Sequence, residues 1–110
     1  MGSPQPLKFD SEKVRLDLLP VSPLIAVARV FHFGAKKYGE YNYAEGDGLR
    51  ASQLYAAALR HLFAWWKGED NDSESGESHL AHAVCCILML MVKHVDDRPS
   101  FDDGGGRDEA

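Results

Sequence analysis

Cysteine is nearly absent from this 110-residue chain, and its two copies, Cys85 and Cys86, are adjacent. Neighbouring residues on a helix point in different directions, so the pair cannot readily form a disulfide. They read as small buried hydrophobes of a reducing compartment. Positive charge is also in short supply: 12 Lys and Arg stand against 17 Asp and Glu, a net charge of −5. A nucleic-acid polymer as partner would call for the opposite balance. The longest apolar stretch, Leu80 to Val92, is 13 residues, short of the roughly 20 a membrane span needs. Residues 1–8 are polar and Pro-rich, with no apolar run behind a basic start. Position 6, where a myristoylation site wants a hydroxyl, is Pro6. The chain is therefore expected in the cytoplasm, with no membrane partner. It shows neither strand alternation nor an internal repeat.

What remains is helical. Ser22 and Pro23 read as an N-cap followed by the first helical residue. Leu24, Val27, Ala28, Phe31, Ala35 and Tyr38 then recur at helical spacing, and Gly39 is the expected stop. A second helix is predicted from about Leu49 to Lys67, ended by Gly68. Leu54, Ala58, Leu62 and Trp65 share one of its faces, and Tyr55, Leu59 and Trp66 another. The Trp65–Trp66 pair suits core and interface better than a ligand stack. A third helix, capped by Ser75 or Ser78, reaches about Val95. From Leu80 to Val92 only His82 is not apolar, and a helix apolar on nearly every side must be covered on every side. Two short partners cannot do that, so the expectation is an all-α, short helical bundle of about three main helices, completed by oligomerisation. Residues 1–95 make one domain. Residues 96–110, acidic and carrying Gly104-Gly105-Gly106, read as a disordered tail.

Charge is unevenly distributed. Residues 1–67 hold nine Lys and Arg against six Asp and Glu, whereas residues 68–95 hold five acids against Lys93. Those acids, Glu69, Asp70, Asp72, Glu74 and Glu77, crowd into nine residues, an arrangement that a divalent cation would relieve. A solvated surface loop is the alternative. A calcium EF-hand is excluded: Ser75 occupies the required glycine position, and the closing glutamate would fall at Ala81. His79 and His82, three apart, share a helical face and would lie near Glu69 if the two helices pack antiparallel. His61 would then sit about two turns further along, roughly 12 Å by helix rise. These histidines suit metal ligation or, equally, hydrogen-bonded positions at a helix end. A zinc module is a further option, although neither Cys/His spacing nor HExxH is present. Lys36 and Lys37, with Tyr38, Tyr41, Asn42 and Tyr43 after them, offer cations for phosphate and rings for a base. Lysines at a helix C-terminus also simply favour the dipole. Arg15, in the segment Lys13 to Asp17, is open to the same two readings.

The order of these pieces is more telling than any one of them. Arg15-Leu16-Asp17-Leu18-Leu19-Pro20 comes first, then Phe33-Gly34-Ala35-Lys36-Lys37-Tyr38-Gly39 with Asn42-Tyr43. Arg60-His61-Leu62 with Ala64-Trp65-Trp66 follows, then Gly68-Glu69-Asp70 through Glu74-Ser75-Gly76, and finally His79-Leu80-Ala81-His82. Over about residues 8–95 this series resembles the dATP/dGTP diphosphohydrolase family, found mostly in phages and placed with the MazG-like all-α nucleotide pyrophosphohydrolases. The resemblance implies a dimer or tetramer that uses divalent metal to convert purine (d)NTPs (dATP, dGTP, GTP) to monophosphate and pyrophosphate, in the host cytoplasm if the chain is viral. MazG-type enzymes carry ExxE and ExxD pairs on successive helices, yet here no acid stands between Leu49 and Lys67. The metal shell is therefore drawn from the loop. Mg²⁺ or Mn²⁺, two or more per site, is expected on Glu69, Asp72, Glu74, His79 and His82, with Glu69 and Asp72 as the catalytic carboxylates. Arg15, Lys36, Lys37, Tyr38 and Asn42 are expected to hold the nucleotide. The competing expectation is a helical accessory or metal-binding interaction protein that catalyses nothing.

Overall fold

A computed structural model describes residues 13–41 and 49–95. Among these residues the protein is all-α, with three helices and no strand: α1 (Val21–Tyr38), α2 (Ala51–Trp66) and α3 (His79–Val95). A short 3-10 turn, Leu16–Leu18, leads in and buries none of its residues. None of the helices is long and apolar enough to cross a membrane. Asn42 and the tail from residue 96 lie outside the described residues.

Helix α1 begins two residues earlier than a Ser22 cap implies. Pro20 is its N-cap and no side chain caps it, so Ser22 and Pro23 stand second and third in the helix. Pro23 fits there because the first backbone N–H groups of a helix have no intrahelical acceptor to lose. The helix ends at Gly39, whose φ of 100° suits only glycine, and whose N–H bonds Ala35 O at 2.8 Å. Helix α2 starts with the Arg50 N–H bonded to Gln53 Oε1 at 2.8 Å. Of the two serines that the sequence offers as cap for α3, Ser78 takes the role. Its Oγ accepts the Ala81 N–H at 3.2 Å.

Helices α1 and α2 both lie on α3 and scarcely touch each other. Small residues make the seams. Ala51, Leu54 and Ala58 of α2 meet Cys86, and Val27 and Val30 of α1 meet Ala81 and Cys85. The core is thin, and among the described residues no large side chain is fully enclosed. Leu80, Val84, Ile87, Leu88 and Met91 recur at helical spacing along α3 and are each between 37% and 49% exposed. Trp66 is 80% exposed, and Trp65 38%. The single chain thus buries neither tryptophan in a core.

Candidate functional site

The site is assembled by the way α2 stops. Gly68, at φ 107°, donates its N–H to Trp65 O at 2.9 Å, and Glu69 donates to Ala64 O at 3.0 Å. This is the pair of bonds of a Schellman ending, which reverses the chain after a helix. The loop behind it closes on itself. Asp72 N–H bonds Glu77 O, Gly76 N–H bonds Asp72 O and His79 N–H bonds Asp70 O, each at 2.8 Å. Asn71 and Ser78 pair as a single antiparallel bridge. The carboxylate loop is thus a folded unit, with Glu69, Asp70 and Glu74 exposed on it.

Asp72 serves as its internal cap. One oxygen, Oδ2, accepts the N–H groups of Ser75 at 2.9 Å and Glu74 at 3.1 Å. Burial works to raise this carboxyl, but the Ser75 amide, the charge of His82 and the Glu74 amide outweigh it. The net result lies below the ordinary carboxylate value. Asp72 therefore stays ionised, with its second oxygen left over from the turn.

The reversal brings three histidines together. His61, expected two turns away from the other two, instead meets them directly. Its Nδ1 is 2.8 Å from His79 Nδ1, and its ring stacks on His82 with centroids 4.4 Å apart and planes 13° from parallel. Burial, then the charges of His82 and His79, hold the His61 imidazole below its ordinary value. His82, also depressed chiefly by burial, is fixed by Ser75, whose Oγ lies 2.6 Å from Nε2 and accepts the Glu77 N–H at 3.1 Å. His79 is 5% exposed. Its Nε2 is buried without a hydrogen-bond partner, while Glu69 Oε2 lies 3.4 Å away, near enough for charge attraction but outside bonding geometry. Ligand-capable atoms of His61, Asp72 and His79 all lie within 4.8 Å of one another. That group can hold a metal ion.

Of the residues singled out from sequence, Glu69, Asp72, His79 and His82 are brought together, and His61 joins them. Glu74 is directed elsewhere: it forms an ion pair with Lys37, while Glu77 pairs with Arg29 at 3.1 Å. These two bridges tie α1 to the loop. Lys37 also lies over the Tyr38 ring, 5.2 Å from its centroid. Lys36 is exposed in the last turn of α1. Arg15 sits apart on the exposed lead-in, where its guanidinium grips Asp17 through two bonds of 2.8 Å.

Because α1 and α2 stand apart on α3, a cleft of about 1190 Å³ opens between them. Phe31, Leu54 and Met89 give it apolar walls, and Lys37, Arg60, His61, Asp72, Glu74 and His82 also line it. Arg60, which precedes His61, adds a cation to this lining that no sequence signal marks as a phosphate contact. Cys85 and Cys86 also line the cleft. Burial pushes the Cys85 thiol up to about 12, so it is an inert wall and not a nucleophile.

The cleft thus combines cations, an ionised carboxylate and a histidine cluster. A family model described as dATP/dGTP diphosphohydrolase, N-terminal, matches residues 3–103. A curated relative, the dATP/dGTP diphosphohydrolase of Salmonella phage PMBT28, is 37% identical over 97 residues, covering 88% of this chain and 32% of that protein. The chain thus spans about a third of the length of the relative it matches. No solved structure matches it. On the family match, the chain belongs to the dATP/dGTP diphosphohydrolase N-terminal family.

Proposed function

We propose that this domain binds purine (d)NTPs in the cleft between α1 and α2 and takes part in their hydrolysis to (d)NMP and pyrophosphate. The observation that carries the reading is the meeting of the His61–Asp72–His79 group with a cleft that Lys37 and Arg60 also line. The relative's name supports the reaction class, and purine preference rests on that name alone. The cleft's volume is ample for a nucleotide, since small-molecule pockets run to about 1,000 Å³.

The donors fit divalent metal. In this reading the carboxylates of Asp72 and Glu69, together with triphosphate oxygens, would hold Mg²⁺ or Mn²⁺, and His61, His79 and His82 offer nitrogen ligands beside them. Two or more ions per site are proposed, and Glu74 can serve only by giving up Lys37. When bound, the metal supplies charge for the phosphate oxygens and a more acidic water. The residues do the rest. Arg60, Lys36 and Lys37 offset phosphate charge as it develops. Substrate phosphate competes with Glu74 for Lys37, which opens the tie between α1 and the loop. Phe31 and Leu54 exclude water from the apolar wall, and Tyr38 is placed near Lys37 for contact with the nucleotide. Ser75 keeps His82 oriented, and His82 braces His61 from behind. Arg15 and Asn42 remain proposed nucleotide contacts.

The exposed stripe of α3 from Leu80 to Met91 supports assembly into a dimer or tetramer through a second copy of this face. The decisive experiment is incubation with dATP, dGTP, GTP and pyrimidine dNTPs, with Mg²⁺ or Mn²⁺ and with EDTA, and chromatographic separation of products. Monophosphate and pyrophosphate from purine substrates, abolished by EDTA, are the expected result. Absence of turnover together with no thermal shift from nucleotide and metal would favour the interaction-protein reading.

A further inference from the structure

We infer that His61, Asp72 and His79 form a resident site for one borderline transition-metal ion of the Zn²⁺, Co²⁺ and Fe²⁺ class, and not a site for Mg²⁺. The inference deepens the hydrolytic reading of the cleft and rests on it for what the ion would do there, but not for whether the ion binds.

The donors come from three separate elements: the middle of α2, the loop and the first turn of α3. Their ligand atoms already lie within 4.8 Å of one another. Bonds of about 2.0–2.2 Å to a shared ion place tetrahedral ligands roughly 3.3–3.6 Å apart, so closure asks for shifts of about an ångström or less. The two rings also turn the same nitrogen, Nδ1, toward one point, 2.8 Å apart. Two imidazole nitrogens face each other there, and without a cation only one of them can carry a proton toward the other. A cation satisfies both lone pairs.

His79 supplies an independent sign. It is 5% exposed, and its outer nitrogen, Nε2, is buried with no hydrogen-bond partner while the Glu69 carboxylate stands at 3.4 Å. An unpaired buried polar atom is costly. A histidine that ligates metal through one nitrogen ordinarily gives the N–H of the other to a carboxylate, which fixes its tautomer. His79 has that layout, with Nδ1 toward the cluster and Nε2 toward Glu69. His61 is braced in turn by the stacked ring of His82, itself fixed by Ser75.

The donor set then selects the metal. Mg²⁺ prefers oxygen ligands and keeps its waters, whereas imidazole suits the later first-row ions. Two histidines and one carboxylate are also the ligand set of metal sites that keep open positions. His61 and Asp72 line the cleft, so the open positions would face it.

The test uses the full chain stripped of metal with a strong chelator and dialysed. Co²⁺ is titrated in, followed by calorimetry and by its visible ligand-field absorption, with Zn²⁺ and Mg²⁺ as competitors. We expect one Co²⁺ per chain, displaced by Zn²⁺ and retained against about a thousandfold excess of Mg²⁺. His61→Ala and Asp72→Asn should each weaken Co²⁺ binding at least about a hundredfold, since loss of a mere supporting partner costs about 10–100-fold. His32→Ala, a histidine outside the group, should leave the affinity unchanged. Circular dichroism confirms folding, and His61→Ala in mid-helix decides the matter if Asp72→Asn unfolds. Failure of Co²⁺ to bind, equal competition by Mg²⁺, or unaltered binding in both variants would overturn the site. Purine dNTP hydrolysis by Mg²⁺ alone in protein that binds no Co²⁺ would overturn this inference and leave the hydrolytic reading standing. Tight Co²⁺ binding without hydrolysis of any nucleotide would uphold the site and remove that reading.

Discussion

Asp72 holds its own loop together and also stands among the metal-capable residues, and two substitutions separate these roles. Asp72→Ala removes the acceptor for the Ser75 and Glu74 N–H groups. A hydrogen bond to a charged group contributes about 1.5–3 kcal/mol, but this loop is partly wet, and water can replace some of the loss. A total of about 2 kcal/mol is expected, which for a domain of this size lowers Tm by roughly 8–16 °C. Asp72→Asn keeps an amide oxygen for the same two donors, reducing charged bonds to neutral ones, and also relieves repulsion among Glu69, Asp70 and Glu74. The net change should stay within about 1 kcal/mol, or less than about 8 °C. Turnover of dGTP should nevertheless fall at least about a hundredfold in both variants, because neither can hold a cation as the carboxylate does. The assays are thermal unfolding by circular dichroism and product chromatography. If Asp72→Asn hydrolyses dGTP at close to the native rate while Asp72→Ala loses stability, Asp72 is only a turn residue and the proposed centre is wrong.

Three further outcomes are expected. Gly68→Ala forces a Cβ onto a φ of 107°, which should cost roughly 1–2 kcal/mol and lower metal affinity by shifting the reversal that carries Asp72 to His61; unchanged metal affinity in the folded variant would show that the loop finds its place without that ending. Leu54→Ala, at a side chain 3% exposed, should destabilise by about 2–3 kcal/mol in urea unfolding, the low end for such a truncation because the thin core can relax around it; a loss under about 0.5 kcal/mol would mean that α2 is not held by this seam. Ile87→Asp should convert the proposed assembly to monomers in sedimentation velocity, since a charge on an apolar face that a second copy covers is strongly disfavoured, and a wild type that is already monomeric at micromolar concentration would refute the proposed oligomer.

Much of the architecture is local and therefore written in the sequence. Helical spacing marked all three helices, Gly39 and Gly68 marked the stops, and Ser78 was one of two caps that the serines offered, because each of these signals acts within about one turn of chain. Ser22 misled for the same local reason: Ser-Pro is a good helix start, but Pro20 two residues earlier starts the helix as well, and a proline in the first turn gives up nothing. The acidic loop and the His79–His82 face were legible as chemistry. Their partners were not. His61 is 18 residues from His79 in sequence, and a simple antiparallel hairpin puts it two turns away. In sequence Gly68 marks only a stop, whereas its Schellman bonds also set the direction in which the chain returns. That reversal, with the bridge between Asn71 and Ser78, decides which level of α2 the start of α3 faces. Likewise, nothing in the residue order says that Glu74 turns to Lys37 while Asp72 turns inward, because that choice depends on α1 lying across the loop. The sequence by itself determined the helices and the kinds of donor available, since propensity, capping and residue chemistry are properties of short segments. The tertiary structure alone decided which donors converge, because convergence depends on how the chain returns between helices, and the backbone bonds of the loop set that path.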